Sequence, residues 1–443
     1  MDNQLAYIDQ GSFLGLRALG RGPHQQYVWV YDHDMDLDAL GQFHHNLGYT
    51  LFGRRIERSP LPFGRHRWVA APHQADLDLA ATPRPRSELR QWLLEQSVIP
   101  VDPERGPAWR MAVVPFVEGG GAVMIMVSHS VADGGAIFTS IVDAVSGRKR
   151  DYGYSQPHSR TRRQAVREDL KSTAASLPEL AKAVRAAVRV ARKEKADIRS
   201  SAKRSVGRPI EGTASAIPVP SVTALVDIAE WDQRAAALGG TSNALVAGIA
   251  ARLGRYRGRV DEDGLVTLNM PVSDRTKGDT RANALSGVSV KVDPEEAPAS
   301  LKRIRADIKT SLTANTEAQN ELYETLALTP FVPKRLLRKL EGVALGSGYP
   351  VGCTNMGDVP PDVLRADGTV AQVFFARSPI EWPVTPEILD NMGGSLVVGS
   401  ARVGPQVVLV ASGWQVGTAN NEGDLADQLL RAVDDFGLSG TLF

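Results

Sequence analysis

The sequence predicts a mixed α/β protein with two lobes of comparable size. Its 443 residues are 43% hydrophobic and 23% charged, which is ordinary globular usage. Segments with strand-like and helix-like apolar spacing alternate on both sides of a central basic stretch. A chain of this length fits one large two-lobed body. We therefore divide it into a first lobe (1–147), a basic helical connector (148–221) and a second lobe (222–443).

The first lobe contains apolar runs of strand length, separated by turn residues. Two of them are joined across glycines 119–121, which predicts a hairpin. Both are apolar nearly throughout, as is typical of strands in the interior of a sheet. We predict strands at Gln26–Tyr31, Trp109–Val117 and Ala122–Val127, and helices at Asp38–Leu51 and Ala136–Val145.

The connector carries the charge asymmetry of the chain. Residues 148–208 have a net charge of +12, while the whole protein has only +1. Residues 148–163 lack an apolar period and are predicted to form a loop. From Leu177 onward, apolar side chains recur at helical spacing with lysines and arginines between them. The stretch Gly207–Pro220, rich in proline, glycine and serine, predicts a boundary between the lobes.

The second lobe repeats the α/β character of the first. Thr241 or Ser242 could cap the start of one helix. We predict strands at Val222–Ile228, Leu265–Met270, Val288–Val292, Thr369–Phe375, Leu396–Ala401 and Gln406–Ala411, and helices at Thr241–Arg255, Leu301–Leu312 and Gly423–Phe436.

The composition excludes several classes of protein. A disordered, collagen-like or coiled-coil chain would have a more biased composition. Cys353 is the only cysteine, which excludes an intramolecular disulfide and any multi-cysteine zinc or iron–sulfur site. The segment Met1–Gly20 lacks the pattern of a signal peptide, and the longest apolar runs are far shorter than the ~20 residues of a spanning helix. We expect a cytoplasmic protein, with a peripheral position at a membrane as the alternative.

The placement of histidine points to one candidate for the chemistry. All eight histidines precede residue 159. His129 follows an apolar strand, and Asp133, Gly134 and Gly135 come shortly after it. A loop at the end of a strand is where an α/β sheet presents reactive groups. Glycines there permit backbone angles that other residues resist.

The spacing of His129 and Asp133 allows two geometries. In a helical turn the two side chains share a face, so the carboxylate could orient the imidazole directly. Alternatively, Asp133 points away to an arginine and fixes the loop, which leaves His129 free to face a substrate. The pair His44 and His45 lies on a predicted surface helix, and Cys353 lies in a predicted strand, so neither is a preferred site.

The loop after the apolar strand resembles a known signature. Residues Ser128 to Gly135 are similar to the HxxxDG motif of condensation-type acyltransferases, a superfamily that includes the wax ester synthase/diacylglycerol acyltransferases and nonribosomal condensation domains. Further segments resemble the wax ester synthase-like branch in order along the chain. These are Ile8–Phe13, Leu51–Arg55 followed by Trp68 and Val69, Met270–Arg275 followed by Asn283, and Thr354–Pro360.

The resemblance implies two chloramphenicol-acetyltransferase-like lobes with a central tunnel between them. It implies that the catalytic motif comprises His129, Asp133 and Gly134, and that Asp133 pairs with Arg275, as in the second geometry. Such a pair would hold the loop in place, because loss of one partner would leave the charge of the other buried and uncompensated. Ser128 stands where part of the superfamily has a second histidine.

The chemistry of ester or amide formation suggests roles for these residues. An attacking hydroxyl or amine must lose a proton, and a neutral histidine can accept one near neutral pH. We therefore predict His129 as the general base, with no covalent acyl-enzyme. The developing oxyanion needs a donor, for which Asn355 and backbone amides are candidates. Asn355 could instead cap the turn before Gly357.

Three functions fit the sequence. The first is an acyl-CoA-dependent O-acyltransferase that acts on a long-chain alcohol, diacylglycerol or a related acceptor. The second is a stand-alone condensing enzyme that takes its acyl group from a carrier protein and forms an ester or amide. The third is a catalytically silent condensation-fold binding protein. Acyl-CoA or acyl carrier protein would be a co-substrate, and no bound cofactor or metal is expected.

The basic segment 148–208 suggests further partners. It could attract anionic lipid headgroups, or the phosphates of coenzyme A or a carrier protein, or it could be a solvated helix face. No nucleic acid partner is expected, because aromatic residues are not interleaved with the charges.

Overall fold

The computed structural model describes residues 3–71, 75–193, 216–333 and 349–443. Helices and strands are mixed along the whole of this part of the chain. The helices are α1 (Tyr7–Leu19), α2 (Leu37–Leu47), α3 (Leu89–Ser97), α4 (Gly134–Val145), α5 (Arg162–Ala175), α6 (Leu177–Lys193), α7 (Ile228–Ala237), α8 (Ser242–Tyr256), α9 (Lys302–Thr325), α10 (Pro386–Asn391) and α11 (Glu422–Asp434). The strands are β1 (Gly22–Tyr31), β2 (Arg54–Glu57), β3 (Arg67–Ala70), β4 (Asp78–Leu79), β5 (Trp109–Pro115), β6 (Gly121–Ser128), β7 (Ser221–Asp227), β8 (Val266–Ser273), β9 (Leu285–Val292), β10 (Val351–Asp358), β11 (Val373–Trp382), β12 (Ser395–Val403), β13 (Gln406–Trp414) and β14 (Thr441–Leu442).

The first sheet has five strands in the order β11–β1–β6–β5–β4. β1 lies between β11 and β6 and is antiparallel to both, and β5 and β6 form the hairpin that the sequence predicts. Every residue of β6 is buried, because both faces of the sheet are covered at this strand. A continuous apolar run is the sequence pattern that such a strand requires.

The second sheet has seven strands in the order β14–β7–β13–β12–β10–β8–β9. β10 runs parallel to both of its neighbours, whereas the pairs β7–β13, β12–β13 and β8–β9 are antiparallel. At the edge, β9 alternates buried valines with exposed polar residues, as expected of a strand with one solvated face. β2 and β3 form a separate antiparallel pair.

One strand departs from the order of the chain. β11 comes late in the sequence, within the predicted second lobe, yet it pairs with β1 in the first sheet. The register is fixed along its length, from Gly22 opposite Trp382 to Val30 opposite Val373. Residues 373–382 therefore complete the first sheet, although the boundaries 1–147, 148–221 and 222–443 themselves remain a prediction.

Most predicted elements of secondary structure are confirmed, with shifted ends. The predicted helix 38–51 ends at Leu47, and a separate 3₁₀ turn follows at Leu51–Gly53. The predicted strand 369–375 begins only at Val373. Helices α1, α3, α5, α7 and α10 were not predicted. The start of α5 carries a local signal that was missed, a capping box formed by Thr161 and Gln164. Much of the predicted boundary 207–220 lies outside the described residues.

The described part of the connector contains the helices α5 and α6. The helix predicted from residue 177 is confirmed as α6, which packs on α9 and in which Ala183 and Ala186 are fully buried. Lysine and arginine side chains occupy its exposed side, including Lys182 and Arg185. Across the described ranges, every helix is too short or too polar to pass through a lipid bilayer.

Candidate active site

His129 lies at the end of β6, where the first sheet gives way to the loop before α4. Its backbone amide donates to the carbonyl oxygen of Pro23 at 3.0 Å, which ties the residue to the neighbouring strand β1. The turn is closed by a 2.9 Å hydrogen bond from the amide of Val131 to the carbonyl of Ser128. The His129 side chain is only half-buried, so its imidazole is accessible rather than sealed in the core.

The imidazole is held by Asn283, which comes just before β9. The His129 Nδ1 atom lies 2.9 Å from Asn283 Oδ1. The amide nitrogen Nδ2 of Asn283 faces two acceptors, the carbonyl oxygen of His129 at 3.1 Å and Asp9 Oδ1 at 3.3 Å. These acceptors assign the orientation of the amide, and Oδ1 then faces the imidazole.

This orientation decides which nitrogen of His129 is basic. Because Oδ1 of Asn283 can only accept, Nδ1 of His129 must carry the hydrogen of the 2.9 Å bond. In the neutral ring, Nε2 then holds the lone pair. Nε2 makes no hydrogen bond to any residue that the structure describes. The arrangement therefore presents an imidazole nitrogen that can accept a proton.

Asp9 holds Asn283 by hydrogen bonds to its backbone and side-chain nitrogens. Its carboxylate accepts hydrogen bonds from the backbone amides of Ala282 at 2.9 Å and Asn283 at 2.8 Å, and it is fully buried. Burial raises the pKa of Asp9 above its usual range, although these amides and the nearby guanidinium of Arg54 oppose the increase. Asp9, Asn283 and His129 thus form a chain of contacts that leads from the core to the half-exposed imidazole.

Asp133 faces Arg275 rather than His129. The ion pair has a shortest separation of 2.8 Å, and both side chains are nearly or fully buried. Asp133 also caps helix α4 by accepting from Ala136 N at 2.8 Å, and it accepts from Ala284 N at 2.7 Å. Of the two geometries that the spacing allowed, the structure has the second. A single carboxylate thereby joins the histidine loop, α4 and the segment before β9.

Arg275 fixes the same region from the other side. Its guanidinium donates to the backbone carbonyls of Asp279, Arg281 and Ala282 at 3.1 Å each. Neither of the two motif glycines, Gly134 and Gly135, has a positive φ angle, so backbone conformation does not require glycine at these positions. A Cβ at Gly135 would lie 3.3 Å from Arg275 Cδ and Nε, whereas one at Gly134 would meet only Tyr27 Oη at 3.6 Å. The close approach of Arg275 therefore favours glycine at 135, which corrects the sequence-based argument from backbone angles.

Arg54 adds a buried guanidinium beneath the loop. Its guanidinium donates to the carbonyl oxygens of Val131 at 2.8 Å and Thr280 at 2.6 Å, and it stacks 4.0 Å from the centroid of the Trp68 ring. The stacking joins the arginine and the tryptophan of the resembled stretch 51–69 by a cation–π contact. Arg54 thus connects β2 to both segments that surround His129.

The two remaining supporting residues lie apart from the imidazole contacts. Ser128 is the last residue of β6, pairs with His24 across the sheet and is buried. Asn355, on β10 of the second sheet, accepts from Gly357 N at 2.9 Å and donates to Asn243 Oδ1. The structure therefore shows the turn-capping contact for Asn355, and its role as an oxyanion donor stays a prediction.

Other candidates in the sequence do not form a second reactive centre. Cys353 is fully buried in the second core, and burial raises the pKa of its thiol to about 12, which keeps it protonated at neutral pH. His44 packs against the ring of Trp109, and His45 is exposed on α2. Within the ranges that the structure describes, no three histidine, cysteine or acidic side chains come close enough to hold a metal ion.

Asp9, Arg54 and Asn283 lie in or beside the segments that resemble the family, but the sequence alone predicts no role for them. Asp9 and Asn283 are 274 positions apart, so spacing along the chain could not bring them together. The available signal was their chemistry, because each is a polar or charged residue within a segment that resembles the same branch. Their convergence beneath one histidine is what the structure adds.

Residues 44–262, just under half of the chain, match the family described as wax ester synthase/diacylglycerol acyltransferase catalytic domain. That segment contains His129 and Asp133 and ends before Arg275 and Asn283. Comparison with the curated proteins gives no match.

Several solved structures share the fold over the full length. The wax ester synthase/diacylglycerol acyltransferase from Marinobacter aquaeolei VT8 is 16% identical, with a TM-score of 0.55 over 98% of this chain and 100% of that chain. The first condensation domain of the CDA synthetase is 16% identical, with a TM-score of 0.58 over 100% of this chain and 99% of that chain. F. sporotrichioides TRI101 complexed with coenzyme A and T-2 is 12% identical, with a TM-score of 0.58 over 100% of both chains.

At these identities the structural likeness shows the fold, which is the two-lobed chloramphenicol-acetyltransferase-like architecture that the motifs implied. The tunnel between the lobes remains a prediction. Together with the matched catalytic domain, the comparisons confirm the resemblance to the condensation-type acyltransferase superfamily and to its wax ester synthase/diacylglycerol acyltransferase-like branch.

Proposed function

We propose that the protein transfers an acyl group from acyl-CoA to the hydroxyl group of an alcohol, with His129 as the general base. The match to a wax ester synthase/diacylglycerol acyltransferase catalytic domain supports acyltransferase activity. The observation that carries the assignment of the base is the bond from Nδ1 of His129 to Asn283, because it leaves Nε2 as the basic nitrogen of a half-exposed ring.

The reaction needs one proton acceptor that later returns the proton. The acceptor hydroxyl attacks the thioester carbonyl carbon while its proton passes to Nε2 of His129. Collapse of the tetrahedral intermediate breaks the carbon–sulfur bond, and the imidazolium returns the proton to the leaving thiolate. The products are an ester and free coenzyme A, and no acyl-enzyme is formed. During both steps the hydrogen bond to Asn283 would hold the ring in place.

In this proposal Asp133, Gly134 and Arg275 act through the loop and not on the substrate. The partners of Asp133 are Arg275 and backbone amides that bound the histidine loop. Their contribution is to hold the imidazole at a fixed position relative to the sheet, which is a requirement for efficient proton transfer.

The proposal is tested by measuring free thiol released from a long-chain acyl-CoA in the presence of a long-chain alcohol. His129→Ala should lower turnover by about 10²- to 10⁴-fold, because the base is lost. His45→Ala is the matched control, since this histidine is exposed on α2, and it should leave turnover unchanged. Near-wild-type turnover in His129→Ala would contradict the assignment of the base.

The same assay separates the two other functions. The structural likeness to a condensation domain supports a carrier-protein donor as the second candidate. Transfer from an acylated carrier protein, but not from acyl-CoA, would favour that candidate and an ester or amide product. Absence of thiol release with either donor would favour a catalytically silent binding protein.

The role of the basic connector stays a prediction. The exposed Lys182 and Arg185 of α6, together with the exposed apolar side chains of Leu177, Val184 and Val188, form a surface that could attract an anionic membrane or an acyl carrier protein. Part of the basic segment 148–208 lies outside the described residues.

A further inference from the structure

A cavity of about 600 Å³ lies where the first sheet meets the second. One wall is formed by Phe375 and Arg377 of β11, the strand that crosses into the first sheet. Thr223 of β7, in the second sheet, and Leu89 and Leu93 of α3 form other parts of the wall. The proposed mechanism makes no use of these residues.

Arg377 is the unusual member of this wall. It is only 5% exposed, and its guanidinium is oriented by a 2.9 Å hydrogen bond from Nη1 to Gln26 Oε1. Gln26 is itself fixed, because its Nε2 donates to the carbonyl oxygen of Leu93 at 3.1 Å. Nε of Arg377 is buried without a hydrogen-bond partner, and among the described residues the guanidinium makes no bond beyond that to Gln26.

The positive charge of Arg377 has no ion-pair partner in the described part of the chain. Glu422 is the acidic residue whose charge acts on it, and that carboxylate pairs with Arg90 at 3.2 Å. Burial lowers the pKa of Arg377 to about 10, which still leaves the guanidinium charged at neutral pH. A buried charge without a counter-ion is costly, and an anionic ligand would remove that cost.

The free nitrogen of Arg377 indicates which ligand would fit. Nη1 is bonded to Gln26 and Nε is buried, so Nη2 is the guanidinium nitrogen left for a ligand in the cavity. Its N–H groups can donate charge-assisted hydrogen bonds to a carboxylate oxygen. Arg86 and Arg90 add positive charge to the lining, but each already has an acidic partner, Asp32 and Glu422 respectively.

The rest of the wall suits a hydrocarbon chain. Phe375, Leu89, Leu93 and Val222 line the cavity with apolar side chains that are themselves buried. A volume of about 600 Å³ is within the range of small-molecule sites. The cavity therefore combines one oriented, uncompensated cation with an apolar lining.

We propose that this cavity is a binding site for an amphipathic carboxylic acid, with its carboxylate on Nη2 of Arg377 and its alkyl chain against the apolar wall. The site goes beyond the proposed acyl transfer, since a free carboxylate is neither the thioester donor nor the alcohol acceptor.

The test is calorimetric titration of the full-length protein with dodecanoate. Arg377→Gln should weaken binding of dodecanoate by about 10- to 100-fold, because the charge-assisted hydrogen bonding of Nη2 is lost. Dodecanamide, which has the same chain and no charge, should bind the wild type as weakly as dodecanoate binds the variant. Thr223→Phe should weaken binding of both compounds by filling the cavity, and it keeps the charge.

Arg365→Gln is the matched control, because the side chain of this exposed arginine bonds, among the described residues, only to the carbonyl of Gly368. It should leave the affinity for dodecanoate unchanged. The proposal is overturned if dodecanoate does not bind the wild type, or if Arg377→Gln and Thr223→Phe bind it as tightly as the wild type does. Equal affinity of the wild type for dodecanoate and dodecanamide would also overturn it.

Discussion

Replacement of Asn283 by alanine tests the link between structure and mechanism most directly. The side chain of Asn283 makes three hydrogen bonds, to Nδ1 and the carbonyl oxygen of His129 and to Asp9. Asn283→Ala removes all three bonds, while the backbone amide of residue 283 can still donate to Asp9. The imidazole then loses the partner that holds the hydrogen on Nδ1.

The expected magnitudes differ for stability and for turnover. Each lost hydrogen bond contributes on the order of 1 kcal/mol, and the one to a carboxylate somewhat more, so the free energy of unfolding should fall by about 3 kcal/mol. Loss of the group that fixes a catalytic histidine in the correct tautomer should lower kcat by about 10²-fold or more. KM should change little, since Asn283 acts through His129 and not through the substrate.

Turnover is measured by thiol release from acyl-CoA, and stability by urea unfolding. Asn46→Ala is the matched control, because Asn46 is also a buried amide and donates to the carbonyl oxygen of Ala144 at 2.9 Å. It should lower the free energy of unfolding without lowering kcat in the folded protein. The comparison separates a positioning role from a general loss of stability.

A measurement on the free protein is independent of any substrate. Nitrogen-15 NMR of the imidazole at neutral pH should show the hydrogen of His129 on Nδ1 in the wild type and a changed tautomer population in Asn283→Ala. The reasoning is refuted if the wild type carries the hydrogen on Nε2, or if Asn283→Ala retains both the wild-type tautomer and the wild-type kcat.

Two further predictions concern stability. Arg275→Gln should lower the free energy of unfolding by about 3–5 kcal/mol, because it leaves the buried carboxylate of Asp133 without its cation. In the same urea titrations, the control Arg402→Gln breaks pairs with exposed carboxylates and should lower this free energy by less than about 1 kcal/mol. Equal losses in the two variants would contradict the prediction. Burial lowers the pKa of His24 to about 4, so the folded state keeps the ring neutral while the unfolded chain takes up a proton below its ordinary pKa of 6.5. Stability from this residue is therefore complete above pH 6.5 and is lost as the pH falls toward 4, by about 2 kcal/mol at pH 5. His24→Gln should reduce the fall in unfolding free energy between pH 7 and pH 5 by that amount, and an unchanged fall would refute the assignment.

The sequence predicts the parts of the site that are local. An apolar strand, a histidine and an aspartate that caps the next helix occupy adjacent positions, and the structure keeps that order in β6, the loop and α4. Long-range pairings in the first sheet are not encoded locally, because the apolar run of β11 would suit either sheet. The topology places it beside β1 only when the whole fold forms.

The contacts beneath His129 show the same limit. The spacing within the motif allowed Asp133 to orient the imidazole or to turn away, and only the packed structure shows that Asn283 takes the first role and Arg275 receives Asp133. The isolation of Arg377 is also invisible in sequence, since it depends on which groups lie near a buried guanidinium. Such features arise from tertiary packing and not from local pattern.

The late strand in the first sheet has a consequence for how the chain reaches its native state. β1 and β11 are about 350 residues apart in the chain, and each is hydrogen-bonded to the other along most of its length. Until β11 has been synthesised, one edge of β1 in the nascent chain would have unpaired backbone N–H and C=O groups. Exposed strand edges of this kind favour association between molecules. Contacts of such long sequence separation also slow folding. Completion of the first sheet thus waits for the synthesis of a strand about 350 residues beyond β1.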